Sequence, residues 1–172
     1  MRGSERALLW ILAAAGAGYW LYVWSPKAQA RLVDIGVAVK NALTPRGIRN
    51  NNPGNIEWIA SPVARWRGMV RADGRYGVFD TAANGVRAIG GELRASVRKG
   101  QLTVAEIIAE WAPPGENDTG SYARSVARSL NVQTGQRFNV LAKLPEFAAA
   151  IIQHENGQQP YALADIARWV SS

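Results

Sequence analysis

The sequence predicts a mainly α (α+β) fold with one small β-hairpin, preceded by an N-terminal transmembrane helix. Three observations lead there. Residues 7–24 form an uncharged apolar run. Beyond residue 81, apolar residues recur at helical spacing between capping and breaking residues. One short β-prone stretch folds about an Asp-Gly pair.

The run ALLWILAAAGAGYWLYVW at 7–24 would be roughly 27 Å long as a helix, enough for a thin bilayer core. Trp10, Tyr19, Trp20, Tyr22 and Trp24 gather mostly toward its second end, as an interfacial belt does. A cleaved signal peptide and a buried core helix are the alternatives. The run ends in aromatics and Ser25-Pro26 rather than a small-residue exit site, which favours an uncleaved anchor. Residues 1–26 are thus read as anchor, 27–45 as a helical connector and 46–172 as the working domain, tethered to a membrane.

In the connector, Leu32, Ile35, Val37, Val39 and Leu43 repeat at helical spacing until Thr44-Pro45-Arg46-Gly47 break it. Residues 46–56, RGIRNNNPGNI, have loop chemistry. Residues 66–80 read as a hairpin with its turn at Ala72-Asp73-Gly74. Thr81 caps a helix over 82–98 whose core stripe is Val86, Ile89 and Leu93. Thr103 caps the next, through Trp111, and Pro113-Pro114 stop it. Further helices follow at 121–130, about 144–155 and 162–170, with Asn156-Gly157 ending the second of these.

Composition narrows the chemistry. The 172 residues carry 20 Lys+Arg against 13 Asp+Glu, a formal charge of +7, and no cysteine. Disulfides, thiolate metal sites and Cys nucleophiles are excluded. His154 is the only histidine, so multi-His zinc sites are excluded too, and no metal or cofactor is implied. Six arginines fall between residues 46 and 75. No nucleic-acid motif accompanies them, so an anionic envelope is favoured over a specific nucleic acid as partner.

Carboxylates are then the natural proton carriers. Glu92, Glu106, Glu110, Glu146 and Asp165 read as solvated surface, Asp73 as a turn residue and Asp80 as a helix-start residue. Glu155 differs, because it ends the strongly apolar run FAAAIIQHE. Poor solvation and a negative helix terminus both favour the protonated form that a general acid needs. A C-terminal hydrogen bond or an arginine pair is the plain structural alternative. Glu116 and Asp118 sit in WAPPGENDTGSY between Trp111 and Tyr122, where a rigid loop can present carboxylates beside a sugar-stacking aromatic; the alternative is an exposed Glu116 and a helix cap at Asp118 or Thr119, and for Asp118 the cap is preferred. Asn51, Asn52 and Asn55 offer amides that both donate and accept, as N-acetyl and hydroxyl groups require; the alternative is a structural loop in which Asn tolerates left-handed backbone.

Four blocks, RGIRNNNPGNI, then WRG with DGRYGVFDT and GVRA, then IIAEWAPPGENDTGSY, then IIQHENGQQPY, resemble the lysozyme-like structural proteins and muralytic enzymes of phages and prophages. The resemblance spans about residues 46–161. It implies an α+β lysozyme-like domain acting on peptidoglycan, carried in the virion, with other virion proteins as further partners and the lipid membrane reached through residues 7–24. It implies cleavage of the MurNAc–GlcNAc β-1,4 bond by a lytic transglycosylase or muramidase, or a non-catalytic wall-binding virion part. The last block is similar to the transglycosylase segment in which a catalytic Glu ends a helix, which makes Glu155 the acid. In ordinary lysozyme-like folds that helix precedes the hairpin, whereas here it follows. Either the order is permuted or Glu116 is the acid. Trp111, Tyr122 and Tyr161 would stack on sugar rings, and Asn51, Asn52, Asn55 and Asp118 would bind substituents.

Overall fold

The computed structural model describes residues 26–115 and 118–172. These divide into two compact units, one reaching Thr44 and the other running from Pro45 to Ser172. The described part of the first is a single helix, α1 (Pro26–Leu43).

The second unit is mostly helical. A short helix α2 (Arg46–Arg49) opens it, followed by the hairpin β1 (Met69–Asp73) and β2 (Tyr76–Phe79). Then come α3 (Ala82–Arg98), α4 (Val104–Trp111), α5 (Thr119–Leu130), a 3-10 turn at Leu141–Lys143, α6 (Leu144–Asn156) and α7 (Leu163–Val170).

The expected transmembrane helix is corrected. Among the described residues no helix is long and apolar enough to cross a membrane; α1 carries Lys27, Arg31, Asp34 and Lys40. Residues 7–24, on which that expectation rested, lie outside the described residues. Smaller differences are local. Residues 46–49 form a helical turn, and α5 begins two residues earlier than expected, at Thr119, with Asp118 as its cap. The hairpin turn is Gly74-Arg75, one step later than the sequence suggests: Asp73 pairs with Tyr76, and Gly74 takes the left-handed φ of +61° that a two-residue turn requires.

Local chemistry explains where the helices start and stop. The Thr81 side chain accepts from Asn84 N, and Thr103 with Glu106 makes a reciprocal capping box. Left-handed Gly157 (φ +66°) ends α6. The central element is α6, which touches α2, α3, α5 and α7. Its Phe147, Ala148, Ile151 and Ile152 are fully enclosed by Val86, Ile89 and Leu93 of α3, Ile107 and Ile108 of α4, Val126 and Leu130 of α5, and Ile166 and Val170 of α7. The hairpin lies at one edge. Its register slips between Met69 and Arg71, a bulge that turns Val70 outward while Met69 stays in the core.

The loop after α2 is pressed onto α3. A Cβ on Gly85 would run into the Asn51 carbonyl oxygen, and that contact is backbone on both sides. Gly85→Ala should therefore destabilise the domain by about 3 kcal/mol, read as a lowered urea midpoint with unchanged slope. Gly135→Ala, where a Cβ meets nothing within 4 Å, is the matched control and should leave the midpoint nearly unchanged.

Candidate functional site

A cleft of about 410 Å³ lies where the Asn-rich loop, β2, α3, α4 and the end of α6 meet. Four carboxylates line it: Glu57, Glu92, Glu110 and Glu155. Two of them are paired with cations. Glu57 bonds Arg75 at 2.6 Å, and Glu110 bonds Lys99 as well as Gln101 Nε2 (2.7 Å). Lys99 first, then Gln101, lower the Glu110 carboxyl below the usual range.

Glu155 and Glu92 are held instead by neutral donors. Tyr122 donates its hydroxyl to Glu155 Oε1 at 2.8 Å, and Asn55 Nδ2 donates to Oε2 at 2.8 Å. Tyr122 is only 3% exposed and stacks on the His154 ring at 3.6 Å. Its burial, then the Glu155 charge, push the hydroxyl far above its ordinary value. Tyr122 therefore stays a donor at every working pH. Glu92, half-buried on α3, accepts from Trp66 Nε1 at 3.1 Å. Trp66 lies so close on α3 that a Cβ on Gly91 would penetrate its ring.

The asparagines divide into two groups. Asn52, 1% exposed, donates to Ile56 O (2.8 Å) and Gly77 O (2.9 Å) and accepts from Ile56 N (2.9 Å). Asn51, in the left-handed region at φ +52°, donates to Phe79 O (3.1 Å) and Asp80 O (3.3 Å). Both are tied to main chain and neither lines the cleft; Asn55 does. Buried Asn50 donates to Asp73 Oδ2 at 2.7 Å, beside Arg46 Nε at 2.9 Å. The bond from Arg46, then that from Asn50, hold the Asp73 carboxyl well below the usual carboxylate range.

The remaining candidates are scattered. Half-buried Trp111 lines the cleft. Tyr122 reaches Glu155 but is too enclosed to present a ring face to a ligand. Tyr161 packs edge-on against Trp169 at 5.5 Å, away from the cleft lining. Asp118 accepts from Ser121 N at 2.9 Å as the α5 cap. Glu116 lies outside the described residues. The structure thus brings Glu155, Asn55 and Trp111 together on one cleft, with Tyr122 behind Glu155. It adds Glu57, Glu92, Glu110 and Tyr76 to the lining, none of which the sequence singled out. The one available signal for Glu92 was the pair Gly90-Gly91 before it, since glycine inside a helix costs about 1 kcal/mol and marks a close approach. Among the described residues no group of three or more His, Asp or Glu is placed to hold a metal ion.

Two outcomes follow from these bonds. Tyr122→Phe keeps the ring stack but leaves Glu155 Oε1 without its donor; it should cost about 1–3 kcal/mol in denaturant unfolding. The depressed Asp73 carboxyl contributes stability that is present above its ordinary value of 3.8 and is lost as pH falls through the lower folded-state value. Acid titration followed by circular dichroism should therefore show Asp73→Asn less stable near neutrality, with a flatter fall below about pH 4 than the parent.

No family model matches the chain. A curated relative, Protein P5 of Pseudoalteromonas phage PM2, is 36% identical over 126 residues, covering 72% of this chain and 78% of the relative.

Proposed function

Since the chain belongs to the family of Protein P5 of Pseudoalteromonas phage PM2, we propose that it is a phage virion protein that cleaves the MurNAc–GlcNAc β-1,4 bond of host peptidoglycan. The observation that carries this reading is Glu155: a half-buried carboxylate on a cleft wall, at the end of the helix most deeply embedded in the core, fixed by Tyr122 and Asn55 without a cation partner among the described residues.

A general acid has to hold a proton and aim it. A carboxylate offers about four lone-pair sites, so two donors fix its plane and still leave room for a proton facing the sugar. Packing of Ile151 and Ile152 fixes the backbone beneath it. Bond cleavage would begin with transfer of the Glu155 proton to the glycosidic oxygen as the C1–O bond lengthens. Trp111 supplies an aromatic wall for a sugar ring, and the remaining Asn55 amide capacity suits a hydroxyl or N-acetyl group.

One observation favours a second reading. Both Glu155 oxygens already have donors, which also suits a purely structural carboxylate in a non-catalytic, wall-binding virion part.

In-gel clearing of purified peptidoglycan separates them. The wild-type protein should clear, and Glu155→Gln should lose about 100-fold or more in rate while unfolding at a similar temperature. A wild type that sediments with sacculi but clears nothing is the binding module. Clearing by both proteins moves the acid off Glu155.

A further inference from the structure

We propose that Glu92 is the second catalytic carboxylate, the general base that activates water, so that the bond is hydrolysed rather than closed into an anhydro sugar. This rests on the glycosidase reading above. It names a residue that the sequence places on a solvated helix face and that the fold brings into the cleft.

Four observations single it out. Glu92 lines the same cleft as Glu155 but stands on α3 instead of α6. Of the four lining carboxylates, Glu57 and Glu110 are engaged by Arg75 and Lys99, whereas Glu92 has only the Trp66 indole as partner among the described residues. One neutral donor orients the group and leaves its other acceptor sites open for a water molecule. The orientation is built in: Gly91 has no side chain, so the Trp66 ring seats directly on the helix with its N–H directed at Glu92 Oε1. Asp118, the described carboxylate of the loop before α5, is occupied in capping that helix.

The step balances with water as sole co-reactant. Glu92 takes one proton from water, and the water oxygen bonds to C1 as the C1–O4 bond breaks. Glu155 gives its proton to the departing O4. One new reducing end and one new 4-hydroxyl result, and solvent resets both carboxyls.

The test digests purified sacculi in water labelled with heavy oxygen and analyses the products by mass spectrometry. Wild-type products should carry one heavy oxygen at each new reducing end and no anhydro-muramyl ends. Glu92→Gln still accepts the Trp66 bond, so it should fold normally, yet lose about 100-fold in rate. Added azide should restore cleavage to Glu92→Ala, trapping glycosyl azide, but not to Glu155→Ala. Anhydro ends in the wild-type digest would overturn the proposal, as would a Glu92→Gln rate within about three-fold of wild type, or the absence of azide rescue. If Glu155→Gln is inactive while Glu92→Gln is not, the glycosidase reading stands and only this inference falls. If the wild type cleaves nothing, both fall.

Discussion

The site depends on a buried amide, that of Asn52. Its side chain satisfies two carbonyls and one N–H of the main chain, and so joins the turn at 52–56 to the middle of β2. Any one of these groups left unpaired in the interior would cost about 1–3 kcal/mol, so the loop has one well-defined path. Asn156 makes a matching tie from the other side, donating to Pro53 O at 2.7 Å and Ile152 O at 2.9 Å. Its amide lies against Gly47, where a Cβ would stand 2.5 Å from Oδ1. Loop, hairpin and helix end are thereby fixed together, and Asn55 arrives at Glu155 as a result of these ties.

The cleft's charges show a division of labour. Glu57–Arg75 and Glu110–Lys99 are exposed pairs at its margin, of the kind that contributes little to stability. Glu155 and Glu92 are less exposed and, among the described residues, are met only by a phenol, a carboxamide and an indole. Neutral donors fix the plane of a carboxylate without supplying a permanent counter-charge, and they leave its remaining acceptor sites open. An arginine in the same place would take up both oxygens in a bidentate pair.

Much of the architecture was legible because it is local. Thr81, Thr103 and Gly157 mark helix ends through bonds or backbone conformations that involve only near neighbours, and the apolar stripe of α3 follows from spacing alone. The end of a buried helix at Glu155 could be read in the same way. What could not be read depends on distant partners. Asn51, Asn52 and Asn55 look alike in sequence, yet the carbonyls of residues 56, 77, 79 and 80 claim the first two. Glu92 looks like an ordinary polar helix residue until Trp66, 26 positions earlier, is laid on Gly91. Tyr122 reads as a sugar-stacking ring because sequence gives no measure of its enclosure.

The bulge in β1 has a bearing on how the protein behaves in a crowd. The two-stranded sheet has Ile56–Trp58 along the outer side of β2, through the bonds Gly77 N to Ile56 O and Trp58 N to Arg75 O. Among the described residues no strand pairs with the outer side of β1. A straight strand left open in this way is a template for fibrous self-assembly. The slip between Met69 and Arg71 bends it, and Arg71 places a charge there. Copies of this chain at high concentration would thus be discouraged from zipping together through their hairpins.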